Sequence, residues 1–300
     1  MRYKITLSYD GAGFRGWQIQ PSEPSVQEAL ERALGVLLSE KIAVTGAGRT
    51  DTAVNAFHYV AHFDSGADIN CRQLAYRLNA ILPKSVSVHS VEPVAEDFHA
   101  RFDARRREYS YFLHRRKDPF VGRYSYFYGY PQLDFEAMNK AAEALLGRHD
   151  FACFEKTGAD TKTSVCTVFE AYWAPYTPAL NAIAEGGAPM AVAVEPDGYV
   201  QDGASGLMAE LAPDADKAEE PVYWYFRISA DRFLRNMVRA VVGTLLEIGR
   251  GKRTPESLAE IVGPVLPDDT PAAPAEGASR RSLAGESVPG HALFLSKIEY

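Results

Sequence analysis

The spacing of hydrophobic residues in the first third of the chain changes between that of strands and that of helices. One helix opens at Ser25, where Ser25-Val26-Gln27-Glu28 has the pattern of a capping box, and another ends before Pro83. The pattern predicts strands at 2–9, 42–45, 56–63 and 85–91, and helices from Ser25 and over 72–81. This β-α-β-β-α-β order is that of a split βαβ, or ferredoxin-like, unit.

A second set of such segments follows the basic stretch 101–117. The pattern predicts helices over 135–146, capped by Asp134, and over about 232–248, with strands at 164–173, 223–228 and 292–298. We therefore predict an α+β protein in which one unit covers 1–105 and a second α/β unit covers 106–300.

The net charge of −7 is unevenly distributed along the chain. A stretch rich in Gly, Ala and Pro at about 177–221 is typical of an insertion between two strands. Its residues 181–221 hold nine carboxylates against Lys217 alone, so the rest of the chain sums to +1. Within that remainder, bases cluster in two blocks: Arg101, Arg105, Arg106, Arg107, Arg115, Arg116, Lys117 and Arg123; and Arg227, Arg232, Arg235, Arg239, Arg250, Lys252 and Arg253. Two basic blocks in a near-neutral body favour an anionic ligand.

The cysteines and the apolar pattern argue against a disulfide-rich, a secreted or a membrane-spanning protein. Cys71, Cys153 and Cys166 are widely spaced and odd in number, which favours three reduced thiols over a disulfide framework or a CxxC metal site. The N-terminus enters a strand pattern without the apolar stretch of a secretory signal, and no run of 18 apolar residues could span a membrane. We expect a cytoplasmic protein with no membrane segment.

Residues 46–51, Gly46-Ala47-Gly48-Arg49-Thr50-Asp51, combine chemistry with backbone freedom. The glycines allow a ligand to approach closely, Arg49 can bind a phosphate, and Asp51 can act as a base or a nucleophile. The same residue types are also common in ordinary turns. The motif alone therefore leaves a charged loop and an active site as alternatives.

Two other motifs are weaker candidates for a binding site, one for a dinucleotide and one for zinc. Residues 11–16 match the GxGxxG fingerprint of dinucleotide-binding proteins, but the helix that should follow at once is predicted only from Ser25. His58 and His62 have the spacing of a helical zinc pair, yet their surroundings are strand-like and the sequence offers no third ligand. We therefore expect no metal and no dinucleotide cofactor.

The predicted helix at 232–248 and the segment at 104–113 place basic residues beside aromatic ones. On a helix, Arg232, Arg235 and Arg239 would share one stripe opposite an apolar face. At strand spacing, Tyr109 and Tyr111 share one face, with Arg105, Arg106 and Arg107 preceding them. Aromatic rings next to bases suit stacking on splayed nucleotides, so one tyrosine can stack while the other packs.

These motifs together resemble the TruA family of tRNA pseudouridine synthases over nearly the whole chain. The matches run in family order: 9–11, 14–18 and 20–21, 25–28, 46–51, Asn79 with Leu82-Pro83, Phe98-His99-Ala100-Arg101 with Ala104, the Tyr109-x-Tyr111 pair, Met237-Val238-Arg239, 242–245, and Leu293-x-Leu295. An ordered series of this length is far more specific than any one of its motifs.

The resemblance implies two ferredoxin-like units around a central basic cleft, and a homodimeric enzyme that needs no cofactor or metal. It implies conversion of uridine to pseudouridine at positions 38–40 of the tRNA anticodon stem-loop. By position, Asp51 matches the catalytic aspartate and Arg49 its neighbour in the same motif. Tyr109 matches the tyrosine that stacks on the target uracil, and Arg239 matches the basic residue that pairs with the aspartate. We expect RNA contacts from Arg15, Arg105, Arg106, Arg107, Arg232, Arg235 and Tyr111.

The chain departs from the family pattern in three places. After Asp51 the family usually has Ala-Gly-Val-His-Ala, whereas this chain has Thr52-Ala53-Val54-Asn55-Ala56. Asn55 can still donate a hydrogen bond. The other two departures are the acidic insertion at about 177–221 and an extra loop at about 278–291.

Two alternative functions remain open. One is an inactive paralogue that binds tRNA, and the other is an NAD(P)-binding oxidoreductase that uses residues 11–16.

Overall fold

The computed structural model describes residues 1–156, 158, 163–179, 181, 221–267 and 281–300. Within those ranges the strands are β1 Arg2–Tyr9, β2 Val44–Gly46, β3 Asn55–Asp64, β4 Val86–Val94, β5 Arg106–His114, β6 Tyr126–Phe127, β7 Gly147–Asp150, β8 Val165–Pro175, β9 Tyr223–Ala230 and β10 Leu293–Glu299. The α-helices are α1 Val26–Leu38, α2 Cys71–Ile81, α3 Phe135–Ala142, α4 Met237–Gly249 and α5 Glu256–Val262. The predicted α+β class is confirmed.

These strands form one sheet in the order β4-β1-β3-β10-β5-β9-β8-β7, with β2 paired to β3 and β6 paired to β5. In the first half, β4, β1, β3 and β2 pair antiparallel in that order. In the second half, β10, β5, β9 and β8 do the same. The two halves therefore share one strand order, and a short parallel pairing of β10 with β3 at Leu295 and Ala56 joins them.

Two hydrophobic cores lie under the helices. The first includes buried residues of α1 and α2 against β1, β3 and β4, and the second includes residues of α3 and α4 against β5, β8 and β9. Tyr109 packs against both cores, so the two helix layers lie on the same face of the sheet. The site described below lies where these layers meet.

Local sequence signals position the helices correctly at two N-termini. The Ser25 side chain accepts a hydrogen bond from the Glu28 N–H at 3.2 Å, and the Asp134 side chain accepts one from the Ala137 N–H at 2.9 Å. Both predicted caps are confirmed. No helix among the described residues is long and apolar enough to cross a membrane.

The predicted start of the helix at Arg232 is wrong. The helix begins at Met237, because Asn236 adopts a left-handed backbone conformation with φ 68° and interrupts the helical winding. Arg232 and Arg235 therefore lie in the segment before α4 and do not share a helical stripe with Arg239. Most of the predicted acidic insertion, 182–220, lies outside the described residues, as do 278–280 of the predicted extra loop.

Candidate active site

The structure brings Asp51 and Arg239 together across 188 positions of sequence. Asp51 lies in the loop between β2 and β3, and Arg239 lies in the first turn of α4. The Arg239 Nη1 is 3.4 Å from the Asp51 Oδ2, and the two side chains are 22% and 25% exposed. The pair is thus a hydrogen-bonded ion pair that is partly desolvated and still within reach of a ligand.

The loop that carries Asp51 is held by aromatic side chains below it. The Tyr9 hydroxyl lies 2.9 Å from the Thr50 Oγ1, and the Tyr59 hydroxyl donates to the carbonyl oxygen of Gly48. Tyr59 stacks on Trp17 with ring centroids 4.0 Å apart. A Cβ at Gly46 would lie 2.2 Å from the Tyr59 hydroxyl and 2.6 Å from Trp17, so this position must be glycine. The loop therefore has little freedom to move the carboxylate.

The glycine-rich loop 11–16 packs directly against the loop that carries Asp51. A Cβ at Gly11 would lie 2.2 Å from the Val54 carbonyl oxygen, and one at Gly16, whose φ is +99°, would lie 2.2 Å from that of Thr50. Residues 11–13 form a 3-10 turn, and α1 begins only at Val26. These glycines allow two backbones to approach closely, and the loop lacks the helix that a dinucleotide fingerprint needs.

Asn55 occupies the place of the family histidine and is almost fully buried. Its Oδ1 accepts a hydrogen bond from the Gly11 N–H at 2.8 Å, and its Nδ2 donates to the His291 carbonyl oxygen at 2.7 Å. The expectation that Asn55 still donates a hydrogen bond is confirmed. The side chain joins the end of the loop that carries Asp51 to the turn after β1 and to the segment before β10.

Ala53 occupies the place of the family glycine and adopts a left-handed backbone conformation, with φ 62°. That conformation costs an L-residue roughly 1–2 kcal/mol, which glycine avoids. Glycine also has more freedom in the unfolded chain, and this lowers the stability of the folded state by about 0.5–1 kcal/mol. We expect Ala53→Gly to raise the free energy of unfolding by up to about 1 kcal/mol in chemical denaturation. Ala75→Gly, in α2, is the control and should lower it by about that amount. If both variants are destabilised equally, the backbone at Ala53 carries no strain.

Tyr109 lies at the active site as a neutral phenol. Burial raises the pKa of its hydroxyl to about 12; the charge of Arg107 opposes that increase and the charge of Asp51 adds to it. Its ring meets the Phe233 ring edge-on, with centroids 5.1 Å apart. A ring held edge-on by a neighbour keeps its orientation, which suits stacking on a planar base.

Two residues expected to contact RNA are engaged within the fold. Tyr111 is 0% exposed and belongs to the core beneath α4, so RNA cannot reach it in this conformation. The Arg107 guanidinium is half-buried and donates to four backbone carbonyl oxygens. The sequence pattern placed both on the correct strand, but burial depends on which elements pack over them.

The other predicted RNA contacts lie at different places on the surface. Arg106 pairs with Glu170 at 2.7 Å. Side chains alternate between the two faces of β5, so Arg106, three residues before Tyr109, lies on the opposite face of the sheet. Arg15 pairs with Glu23 at 3.1 Å and is largely exposed. The remaining residues of this group, exposed or half-buried, are Arg105, Arg232 and Arg235. Arg49, predicted as the neighbour of Asp51 in the same motif, is also exposed.

Sequence reasoning missed the segment that fixes Arg239. The Arg239 Nε donates to the Val288 carbonyl oxygen at 2.7 Å, and the Val288 N–H donates back to the Arg239 carbonyl oxygen at 3.2 Å. A Cβ at Gly243 would lie 1.7 Å from the Glu286 carbonyl oxygen, so this glycine lets the segment cross α4. The family motif at 242–245 is the signal that could have indicated such a crossing.

The described residues contain no group of three His, Cys, Asp or Glu side chains close enough to hold a metal ion. His58 and His62 lie in β3, and the His62 Nδ1 accepts a hydrogen bond from the Ala100 N–H at 3.1 Å. Burial, followed by the charge of Arg2, lowers the pKa of His62 to about 4. His62 is therefore a neutral, hydrogen-bonded residue of the fold.

Comparison with known proteins agrees with this geometry. Residues 141–300 match the profile of a family described as tRNA pseudouridine synthase. The chain is 40% identical to tRNA pseudouridine synthase A of Bacteroides thetaiotaomicron, covering 100% of this chain and 90% of that protein. It is 38% identical to the protein of the same name from Parabacteroides distasonis, with 100% and 96% covered, and 34% identical to that from Bacillus subtilis, with 100% and 99% covered. The similarity thus includes both the loop of Asp51 and the helix of Arg239.

Proposed function

The chain belongs to the family of tRNA pseudouridine synthases, and on this premise we propose that it modifies uridines 38–40 of the anticodon stem-loop with Asp51 as its catalytic carboxylate. As a member of that family it is an isomerase that converts uridine in tRNA to pseudouridine. The reaction replaces the bond from ribose C1′ to uracil N1 by a bond to C5, and the C5 hydrogen is lost as a proton.

The observation that carries the assignment of Asp51 is its pairing with Arg239 beside Tyr109. The guanidinium holds the carboxylate in one orientation, which either attack on the nucleoside or removal of a proton requires. Tyr109 offers a fixed aromatic ring for a uracil turned out of its stack. Turning out a base costs a few kcal/mol, which stacking on the ring offsets in part.

Further features of the proposal follow from the resemblance and have support in the fold. We propose that the halves 1–105 and 106–300 are two ferredoxin-like units around a basic cleft, because each half has the same strand order. Arg49, beside Asp51, would contact a phosphate, and Arg15, Arg105, Arg106, Arg232 and Arg235 would contact RNA elsewhere. We also propose a homodimer, which light scattering on the purified chain tests, and a cytoplasmic location in keeping with a tRNA substrate.

Tritium release is the direct test of this function. Transfer RNA labelled at uridine C5 should lose tritium to water during incubation with the chain, and tRNA in which uridines 38–40 are replaced by cytidine should lose none. An inactive paralogue would bind tRNA in a salt-dependent way without releasing tritium. If the substituted tRNA also released tritium, the chain would still be a pseudouridine synthase, but the assignment to uridines 38–40 would be refuted.

A further inference from the structure

The guanidinium of Arg107 lies among four carbonyl oxygens of the main chain. Its Nη2 donates to Ala47 at 3.0 Å and to Arg101 at 2.6 Å. Its Nη1 donates to Asp231 at 2.7 Å and to Ala104 at 3.1 Å. Hydrogen bonds from a charged donor are stronger than neutral ones, so a single side chain holds four points of the backbone.

These four points belong to three segments that meet at the active site. Ala47 is in the loop that carries Asp51, and Asp231 is in the segment that leads from β9 into α4, the helix of Arg239. The other two carbonyls lie on the connection between β4 and β5, which joins the halves of the chain. Asp51 and Arg239 come from different halves, so their separation depends on how these segments are held relative to one another.

The chemistry of the cluster requires arginine. A guanidinium presents its N–H groups in a rigid planar fork that can serve four acceptors, whereas a lysine ammonium has three donors at one point. The carboxylate of Asp231 accepts from the N–H groups of Thr167 at 2.8 Å and Arg232 at 2.7 Å. Burial lowers the pKa of Arg107, with the Tyr109 and Tyr300 hydroxyls opposing that effect. Four hydrogen bonds compensate for burying the charge.

We propose that Arg107 is a positioning residue of the synthase reaction, which holds the Asp51 loop and the segment before α4 at the separation that Asp51 and Arg239 require. The inference rests on the function proposed above. Arg107 acts through the backbone of these segments, so its loss affects the chemical step more than the binding of tRNA. A displacement of about 1 Å at a catalytic group can cost on the order of 100-fold in rate.

The test compares Arg107→Met and Arg107→Lys with Arg77→Met. Arg77 is exposed on α2, which packs on β4 at the far edge of the sheet, so it gives the same change of side chain away from the junction. Tritium release gives kcat and KM for each folded variant, and circular dichroism checks folding. We expect both Arg107 variants to lose about 10- to 100-fold in kcat with KM changed by less than about threefold, and Arg77→Met to match the wild type.

Four outcomes decide the question, two against the inference and two for it. Wild-type kcat in folded Arg107→Met overturns the inference, and so does full recovery of kcat in Arg107→Lys, because charge alone would then suffice. A fall in kcat in both variants supports it, and partial recovery of Arg107→Ala by millimolar guanidinium ion supports the hydrogen-bonding geometry. If Arg107→Met does not fold, Arg107→Lys and the guanidinium experiment carry the test. Failure of the proposed function is distinct, since the wild type would then release no tritium.

Discussion

Replacement of Asp51 by asparagine is expected to reduce tritium release from tRNA by at least about 1,000-fold. Asparagine has nearly the same shape, so it leaves the loop in place and removes the negative charge that attack or proton removal needs. The carboxylate is three-quarters buried and lies 3.4 Å from the Arg239 Nη1, and no other described carboxylate is paired with that guanidinium. Single-turnover tritium release under excess enzyme is the measurement.

Two controls separate chemistry from binding and folding in the Asp51→Asn variant. Its tRNA affinity should stay within about threefold of the wild type, because phosphate contacts dominate affinity and are unchanged. Asp64→Asn makes the same substitution at an exposed carboxylate paired with Arg2 at 2.8 Å, and it should keep full turnover. Turnover near the wild-type rate in Asp51→Asn would refute its assignment as the catalytic residue.

The order of elements could be predicted because it depends on local physics. Strand and helix spacing differ, and caps such as Ser25 and Asp134 satisfy N–H groups at the first turn of a helix. Both signals lie within a few residues of the element that they specify. The start of α4 was missed because a left-handed residue at Asn236, which the apolar pattern does not reveal, sets it.

The roles of the basic and aromatic residues depended on tertiary structure. Arg105, Arg106 and Arg107 look alike in sequence, yet the structure exposes the first, pairs the second with Glu170 and uses the third to bind main-chain carbonyls. Which arginine meets the loop that carries Asp51 is decided by segments distant in the chain. Spacing identifies a face of a strand and says nothing about what packs on it.

The region after Asp51 illustrates a complementary case. The family pattern identified Ala53 and Asn55 as departures, and the structure shows how each is accommodated. Ala53 adopts a left-handed backbone conformation, and Asn55 makes two hydrogen bonds from a buried position. The sequence pattern alone could not show either the left-handed conformation at Ala53 or the partners of Asn55, because both depend on segments that pack against this loop.

Replacement of Arg239 by glutamine should lower kcat/KM by roughly 10- to 200-fold. A hydrogen bond to a charged group contributes about 1.5–3 kcal/mol, and each 1.36 kcal/mol corresponds to a factor of about ten in rate. Glutamine has an Nε2 donor at the place of the arginine Nε, but it lacks both the positive charge and the Nη1 donor that meet Asp51. The effect should fall on kcat, because the carboxylate loses its orientation while the surface that meets RNA is nearly unchanged.

The stability of Arg239→Gln distinguishes this view from general loss of structure. Both side chains of the pair are about a quarter exposed, so we expect a loss of about 1–2 kcal/mol in the free energy of unfolding, below the 3–5 kcal/mol typical of a buried pair. Arg239→Lys keeps the charge but cannot donate to Val288 and Asp51 in one planar geometry, so it should recover only part of kcat. Full activity in the lysine variant would mean that charge alone serves Asp51, and the hydrogen bond from the Arg239 side chain to the Val288 carbonyl oxygen would then have no part in catalysis.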